Sequence, residues 1–190
     1  MGNNAWPVGK EWTGFGFSMP EIAGMCLLES HAVLDAIIER IPSQGCVCEL
    51  GTYSASTAAA IAARRPDAQI TCIDSFCRDS GTPLYPVAML AIVNVLVRSN
   101  IMLYIGTTHE AARYFKKRQF DVVLVDGDHS RDGCLFDLEL AKELLKDGGS
   151  ILVHDYFPGW PGVVSASDSF ATKYKYAILR LCESLITFKK

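Results

Sequence analysis

The sequence predicts an α/β domain with a doubly wound, mostly parallel sheet and helices on both faces. Three observations lead to this prediction. Short apolar runs of strand length recur along the chain, helix-like segments separate them, and the runs are almost continuously apolar, which is typical of parallel strands buried on both faces. The five runs are CVCEL (46–50), QITCID (69–74), IMLYI (101–105), DVVLVD (121–126) and SILVHD (150–155).

The composition is that of one globular domain. The chain has 190 residues, of which 49% are hydrophobic and 21% are charged. This length is enough for a core that needs no disulfide or metal to stabilise it. We find no internal repeat or low-complexity stretch that would mark a second domain. We therefore predict one domain over 1–190, with a core at 24–190 preceded by a lid or contact segment at 1–23.

Charge and hydrophobicity exclude several classes of partner. No apolar run approaches the roughly 18 residues that a membrane helix needs, and the N-terminus has no signal-peptide pattern, so we expect a cytoplasmic protein without a membrane partner. The formal net charge is −3 and the basic residues are dispersed, which argues against nucleic acid as a partner. The seven cysteines are odd in number and several lie in strand-like runs, so we interpret them as buried thiols.

Capping residues and apolar spacing locate the helices. A side-chain oxygen just before a helix can accept hydrogen bonds from the free amides of the first turn. The glycine pair 148–149 is expected to end one helix and start the fifth strand. Residues 21–40 have apolar side chains at helical spacing, which predicts a helix that covers one side of the fold. The expected caps are Ser54 or Ser56 for the alanine-rich segment ending at Arg65, Thr108 for HEAARYFKK, and Ser130 or Asp132 for the segment before the glycine pair.

The C-terminal part of the sequence predicts a closing hairpin. A turn-rich loop at 157–162 and a short helical segment follow the fifth strand. The runs YAILRLC (176–182) and SLITFKK (184–190) are two more strand candidates. Because so few residues separate them, we expect these two strands to pair with each other.

The most informative motif is VCELGTYSAST (47–57), in which a strand ends and a glycine leads into a helix. Gly51 permits a tight turn and close approach to a ligand, and the helix N-terminus offers unpaired amides to a carboxylate. No Walker lysine and no GxGxxG pattern is present, which argues against a nucleoside triphosphate or ordinary NAD site. A simple turn is the alternative interpretation. The candidate cofactor residues in this motif are Glu49, Gly51, Thr52, Tyr53 and Ser56.

Two further strand ends extend the candidate cofactor site. Asp74 closes the second strand about twenty residues after Gly51, where doubly wound folds place an acid that binds ribose hydroxyls. The alternative is an exposed strand end or a helix cap. Ser75 follows Asp74, and Gly106, Thr107 and Thr108 follow the third strand, where a chain can run past an adenine; a helix cap alone would also explain Thr108.

Together these motifs resemble class I methyltransferases, in particular small-molecule O-methyltransferases related to the macrocin and cephalosporin-biosynthesis enzymes. The resemblance covers about residues 24 to 165 and is carried by ELGTYSAST, CIDS, FDVVLVDGDHS and LLKDGGSILVHDY. It implies a Rossmann-like sheet of seven strands with the last antiparallel, and S-adenosylmethionine as cofactor. The resemblance implies that Gly51 faces the methionine moiety and Asp74 the ribose of the cofactor. It also implies that Asp126 and Gly127 contact the same cofactor.

The sequence departs from the family pattern at one position of the first motif. The family usually has a second glycine four residues after the first, and this chain has Ala55. Its methyl group is expected to crowd the cofactor. Either the loop shifts slightly to accommodate it or the cofactor site is weakened.

The ends of the fourth and fifth strands supply the candidate chemical groups. Methyl transfer to a hydroxyl needs a base, and His129, with an unperturbed pKa of about 6.5, suits that task beside Asp126. The resemblance also implies a divalent metal, Mg²⁺ or Mn²⁺, held by Asp126 and a pair that here reads His154 and Asp155. Because Mg²⁺ prefers oxygen, His154 either leaves the metal shell or favours a softer ion. The alternative to a metal site is that Asp126 and Asp155 are solvated strand ends and that His154 is a hydrogen-bonded histidine in the core.

The resemblance implies a small-molecule acceptor, with a hydroxyl as the expected acceptor group and an amine as the alternative. Acceptor pockets in this fold are built from variable additions to the sheet. The segment 76–86 is one candidate wall. The competing functions are a non-catalytic binding protein that retains the fold and, less favoured, a Rossmann oxidoreductase. His31 and His109 are expected on helical segments away from the carboxyl edge of the sheet and receive no role. The aromatic residues that could form a lid, or instead a contact in a homo-oligomer, are Trp6, Trp12, Phe15, Phe17, Phe157 and Trp160.

Overall fold

A computed structural model describes residues 30–77 and 83–190 of the chain. The strands in these ranges are β1 (Cys46–Leu50), β2 (Gln69–Asp74), β3 (Ile101–Ile105), β4 (Phe120–Val125), β5 (Leu145–Val153), β6 (Ala177–Cys182) and β7 (Leu185–Lys189). The helices are α1 (His31–Ile38), α2 (Ser56–Arg64), α3 (Tyr85–Leu96), α4 (Thr108–Ala111), α5 (Arg131–Leu144) and α6 (Pro161–Tyr174).

The strands form one seven-stranded sheet in the order β3-β2-β1-β4-β5-β7-β6. Strands β1 to β5 pair in parallel, and β7 runs antiparallel to both of its neighbours. The predicted fold class, with seven strands of which the last is antiparallel, is confirmed. The strand order reverses between β1 and β4, and in doubly wound sheets ligands bind in the crevice at the carboxyl ends of the strands at such a point.

Helices cover both faces of the sheet, as predicted. Alternate residues of each strand point to opposite faces, so Val47 and Leu124 belong to one core cluster while Cys48 and Val125 belong to the other. Helices α1, α2 and α3 pack on the first face, and α4, α5 and α6 pack on the second. This arrangement leaves the carboxyl edge of the sheet for a ligand.

Strands β1, β2 and β3 have the predicted bounds, whereas β4 and β5 differ. Strand β4 lies one residue earlier than predicted, and β5 begins at Leu145, directly after α5 ends. The predicted helix end at the glycine pair is therefore wrong. The register between β4 and β5 shifts, and Gly148, with φ of +81°, lies in the irregular stretch of β5. The glycines lie in this irregular stretch of the strand and not at the end of the preceding helix.

The predicted helix caps are partly correct. Ser130 caps α5 by accepting a hydrogen bond from the amide of Gly133. The residue before α2 is Ala55, with no side-chain cap, and the hydroxyls of Ser54 and Ser56 instead lie 2.7 Å apart. The predicted serine cap is wrong because the chain enters α2 through a left-handed residue that directs both serines elsewhere.

The predicted cap of α4 is wrong by one residue. Thr107, and not Thr108, accepts the amide of Glu110, and Glu110 accepts the amide of Thr107 in return. The reciprocal pair satisfies two free amides at the helix start. The α-helix ends at Ala111, so it covers only the first part of the predicted segment.

The ends of the chain agree with the predicted covering helix and hairpin as far as they are described. Of the predicted 21–40 helix, the described part is α1, and residues before Ser30 lie outside the described ranges. Strands β6 and β7 pair as the predicted hairpin, and the helix before them, α6, spans 14 residues and is longer than predicted. No helix in the described residues is long and apolar enough to cross a membrane.

Candidate functional site

A cleft of about 870 Å³ lies at the carboxyl edge of the parallel strands, a size typical of small-molecule sites. The loops that follow β1, β2, β3, β4 and β5 all contribute to its walls. Every residue that the sequence marked for cofactor, base or metal lines this cleft. These residues are Glu49, Gly51, Thr52, Tyr53, Ser56, Asp74, Ser75, Gly106, Thr107, Thr108, Asp126, Gly127, His129, His154 and Asp155.

Gly51 makes the close contact between the loops after β1 and β4 possible. Its φ is +84°, and a Cβ at this position would lie 2.2 Å from the Cα atom of Gly127 and 2.4 Å from the carbonyl oxygen of Asp126. Both are backbone atoms, which cannot rotate away as a side chain can. The glycine in the first motif is therefore required by the backbone approach as well as by the turn.

Glu49 lies buried beneath the cleft, with 2% of its surface exposed. Burial raises the pKa of its carboxyl to about 8, although the hydrogen bond donated by the Thr52 hydroxyl opposes this change. The nearby carboxylates of Asp126 and Asp74 raise the pKa further. An acid in this position can hold a proton at neutral pH and release it when positive charge enters the cleft.

Asp74 connects the loops after β1 and β2. Its two carboxyl oxygens accept the backbone amides of Tyr53 at 2.8 Å and Phe76 at 2.6 Å. Burial raises the pKa of this carboxyl, and the amide hydrogen bonds oppose the increase. The acid expected to bind ribose is thus fixed in the cleft wall next to the first motif.

Ala55 does not line the cleft. Its backbone is left-handed, with φ of 56° and ψ of 24°, which a glycine would adopt more readily. The residue is fully buried, and it belongs to the core cluster formed by α1, α2 and α3 with the sheet. The side chain packs within the protein core and not in the cleft, which favours the alternative that the loop accommodates the alanine.

Asp137 of α5 is a cleft residue that the sequence interpretation missed. It is 2% exposed, and burial raises the pKa of its carboxyl to about 6. The Thr108 hydroxyl and the Asp128 backbone amide both hydrogen-bond to it, so Asp137 joins the loops after β3 and β4. The sequence feature that could have identified Asp137 is an acid within the apolar stripe of α5 that includes Cys134 and Leu138.

His109 also lines the cleft, which corrects the expectation that it lies away from this edge. Its ring stacks on Phe136, with ring centroids 3.5 Å apart. The placement follows from the short α4, which begins directly at the end of the β3 loop. Cys77 and Leu84, from the candidate wall at 76–86, also line the cleft. Other cleft residues to which the sequence analysis gave no site role are Ser54, Thr57, Ile73, Asp128 and Gly133.

His129 and Asp155 form a pair at the end of the cleft near β4 and β5. The Nε2 atom of His129 lies 2.8 Å from Oδ2 of Asp155. This hydrogen bond is the main cause that raises the pKa of His129, and burial opposes it. Burial alone would raise the pKa of Asp155, but hydrogen bonds from His129 and His154 outweigh burial and hold that pKa well below its usual range.

The His129 ring is further held by Trp160, whose ring stacks on it at a centroid distance of 4.1 Å. Trp160 is 41% exposed and Phe157 39%, so apolar surface remains open beside the histidine. Among the other acceptor-wall candidates, Arg78 and Asp79 lie outside the described residues, as does the aromatic N-terminal segment 1–23.

His154 faces two carboxylates. Its Nδ1 atom lies 3.3 Å from Oδ1 of Asp126 and 3.4 Å from Oδ1 of Asp155, while Nε2 lies 3.4 Å from the Ser184 hydroxyl. Three residues offer one possible metal-ligand atom each: Asp126, His154 and Asp155. These three atoms lie within 4.8 Å of one another. One nitrogen and two carboxylate oxygens form a donor set that fits Mn²⁺ or another transition ion better than Mg²⁺.

Known proteins share this fold at low sequence identity. Precorrin-6y C5,15-methyltransferase from Geobacter metallireducens GS-15 aligns with a TM-score of 0.68 at 15% identity, over 86% of this chain and 90% of that protein. For the O-methyltransferase NovP, the TM-score is 0.59 at 14% identity, over 91% of this chain and 80% of that one. Aeropyrum pernix fibrillarin was solved with natively bound S-adenosyl-L-methionine. It aligns with a TM-score of 0.56 at 14% identity, over 82% of this chain and 73% of that protein.

The sequence comparison identifies the family. No curated protein matches the chain, but residues 48–156 match the family described as "Methyltransferase domain". The matched range is more than half of the 190 residues. It contains the Gly51 loop, Asp74, the β3 loop, His129 and the β5 end, which together form the cleft. The chain therefore belongs to the class I, S-adenosylmethionine-dependent methyltransferases.

Proposed function

We propose that this protein transfers a methyl group from S-adenosylmethionine to a hydroxyl of a small molecule, as the macrocin-type O-methyltransferases do, with His129 as the general base. The observation that carries this proposal is the His129–Asp155 pair, which lies at one end of the same cleft that holds the Gly51 loop and Asp74. A histidine held by a carboxylate is a common arrangement for removing a hydroxyl proton.

The cofactor would be held by residues of the first three strand ends. The Asp74 carboxyl would accept the ribose hydroxyls, since an ionised carboxylate has lone pairs beyond the two amide bonds it already receives. The Gly51 loop and the α2 N-terminus would bind the methionine carboxylate. Residues 106–108 would lie beside the adenine. When bound, S-adenosylmethionine supplies an electrophilic methyl group.

The acceptor proton would go to His129. With Nε2 donating its hydrogen to Asp155, the Nδ1 atom of the ring is the proton acceptor in the neutral tautomer. Protonation produces an imidazolium ion, which the adjacent Asp155 carboxylate stabilises. Stacking on Trp160 limits rotation of the ring, so the base remains aligned with the acceptor.

We further propose that Asp126, His154 and Asp155 hold a divalent ion. Such an ion would supply an anchor for the acceptor oxygen and lower the pKa of its hydroxyl. The mixed nitrogen and oxygen donor set supports Mn²⁺ more than Mg²⁺. Without an ion, His154 would act by hydrogen bonding to the two carboxylates.

Calorimetric titration with S-adenosylmethionine, S-adenosylhomocysteine and NAD tests the cofactor. We expect micromolar binding of both adenosyl ligands, no binding of NAD, and at least a tenfold loss of affinity in Asp74→Ala. An acceptor screen that measures S-adenosylhomocysteine release then tests the reaction. Adenosyl-ligand binding with no turnover on hydroxylated compounds would favour the non-catalytic alternative, turnover on amines alone would contradict the hydroxyl assignment, and NAD binding would favour an oxidoreductase.

A further inference from the structure

The loop that leads into α2 has an unusual backbone. Within residues 51–55, Gly51, Tyr53 and Ala55 have positive φ angles, of 84°, 47° and 56°. Glycine adopts such angles readily, whereas tyrosine and alanine do so at a cost, because the Cβ atom crowds the backbone. Residues other than glycine remain in this conformation only where the surrounding structure holds them there. The loop therefore needs contacts that fix the backbone on both sides of Ser54.

Two hydrogen bonds hold the amides of the left-handed residues. The Tyr53 amide donates to the Asp74 carboxyl at 2.8 Å, and the Ala55 amide donates to the carbonyl oxygen of Thr52 at 2.7 Å. The peptide group that enters Ala55 also contains the carbonyl oxygen of Ser54. Fixing that peptide plane at both ends requires a donor to this oxygen from outside the loop.

Asn94 of α3 supplies this donor. Its side-chain amide donates a hydrogen bond of 2.8 Å to the carbonyl oxygen of Ser54, which lies 40 positions earlier in the chain. Apart from Tyr85 at the helix start, Asn94 is the only residue of α3 with a polar side chain. Val87 and Ala91 of the same helix are fully buried in the core. A firmly packed helix thus presents one amide to the loop.

We propose that Asn94 is a positioning residue of the cofactor site, which holds the loop 51–55 in the left-handed conformation that Ala55 adopts at a cost. Asn94 does not line the cleft, so it acts through Ser54, which does. This inference rests on the proposed binding of S-adenosylmethionine by the Gly51 loop and the α2 N-terminus. With the loop held, the first amides of α2 stay aligned for the methionine carboxylate.

The competing role for Asn94 is to attach α3 to the domain without any effect on the loop conformation. A bond that only attaches the helix would contribute equally whichever residue occupies position 55. A bond that holds a left-handed backbone matters less when that residue is glycine, because glycine adopts the conformation unaided. A double-mutant cycle between positions 55 and 94 therefore separates the two roles.

Calorimetry with S-adenosylhomocysteine on the full chain tests the proposal. We expect Asn94→Leu to lower the affinity at least tenfold, and Ala55→Gly added to it to restore the affinity to within threefold of the unmodified protein. The matched control is Asn100→Leu, since the Asn100 amide also donates to backbone carbonyls, those of Arg65 and Ala68, at the opposite edge of the sheet. It should lose less than twofold. An unchanged affinity in Asn94→Leu, or a loss that Ala55→Gly does not restore, would overturn the proposal.

Urea unfolding of the same variants without ligand gives a second readout. Ala55→Gly should raise the urea midpoint of the Asn94→Leu protein and hardly change that of the unmodified protein. Equal shifts in the two backgrounds would refute the role of Asn94 in holding the loop. Asn94→Ala takes the place of Asn94→Leu if the leucine side chain prevents folding. An unmodified protein that does not bind S-adenosylhomocysteine would contradict the proposed cofactor site, and the unfolding cycle would still decide the role of Asn94.

Discussion

The Nε2 atom of His129 lies 2.8 Å from Oδ2 of Asp155, although the two residues are 26 positions apart in the sequence. They meet because β4 and β5 are neighbouring parallel strands whose carboxyl ends lie at the same edge. The backbone of Asp155 is left-handed, with φ of 60°, a conformation that costs a non-glycine residue about 1 kcal/mol or more. Such strain at a cleft residue is consistent with a constraint imposed by function.

Replacement of His129 by alanine should suppress turnover and leave cofactor affinity nearly unchanged. The loss of a general base is expected to lower turnover by about 10²- to 10⁴-fold, whereas the proposed ribose, methionine and adenine contacts lie at the ends of β1, β2 and β3. Turnover assays and calorimetry on the same preparation measure the two effects. His31→Ala, on the exposed side of α1, is the matched control. An equal loss of cofactor binding in His129→Ala would rule out the base assignment.

Glu49 should make the protein less stable as pH rises. Its pKa is about 8 in the folded protein, against 4.5 for an unperturbed glutamate, so between these values the folded state binds more protons than the unfolded state. The free energy of unfolding therefore decreases with pH, with a slope of up to ~1.4 kcal/mol per pH unit. Urea unfolding between pH 6 and 8 measures this slope. The lower limit is chosen because Asp137 has a pKa of about 6, so that below this pH its own titration would add to the slope. Glu49→Gln should flatten it, and an unchanged slope would contradict the assignment.

Two glycines with similar backbone angles should respond differently to alanine. Gly51→Ala places a Cβ 2.2 Å from the backbone of Gly127, while a Cβ at Gly148, with φ of +81°, has no neighbour within 4 Å. We expect Gly148→Ala to cost about 1 to 2 kcal/mol from the left-handed conformation alone, and Gly51→Ala about 3 kcal/mol or more because the loops must separate. Chemical denaturation of both variants provides the comparison. Equal costs would show that the backbone contact at Gly51 is not important.

Ala55→Gly should leave both stability and cofactor affinity nearly unchanged. Relief of the left-handed backbone gains about 1 kcal/mol, and loss of a buried methyl group costs about 0.8 kcal/mol. The methyl group does not line the cleft, so S-adenosylmethionine affinity should change less than twofold. Thermal unfolding and calorimetry check these values. A tenfold increase in affinity would show that Ala55 does obstruct the cofactor.

Metal binding should depend on Asp126 and favour Mn²⁺ over Mg²⁺. Chelation is expected to reduce turnover, and Mn²⁺ should restore it at a lower concentration than Mg²⁺ because one of the three donors is the His154 imidazole. Calorimetry with each metal ion alone gives a readout that does not depend on turnover. Asp126→Ala should abolish the binding, while the exposed Asp132→Ala should retain it. Turnover that a chelator leaves unchanged would argue against a metal.

Some departures from sequence expectation arise where backbone geometry overrides local chemistry, and others where helix docking sets the direction of a side chain. Serines at positions 54 and 56 are good capping residues, but a left-handed Ala55 starts α2 instead. A glycine pair usually ends a helix, whereas Gly148 lies in an irregular stretch of β5. Asp137 and His109 reach the cleft from helices, and their side-chain directions depend on how α4 and α5 dock on the sheet.

The sequence by itself determined the five parallel strands alternating with helices, the closing hairpin and the candidate groups at the strand ends. These features follow from local patterns: apolar periodicity defines the strands, and parallel strands bring their carboxyl ends to one edge. Only the tertiary structure decided that His129 pairs with Asp155, that Ala55 turns into the core, and that Asn94 of α3 bonds to the Ser54 carbonyl. Each of these depends on packing between residues far apart in the chain, which no local pattern encodes.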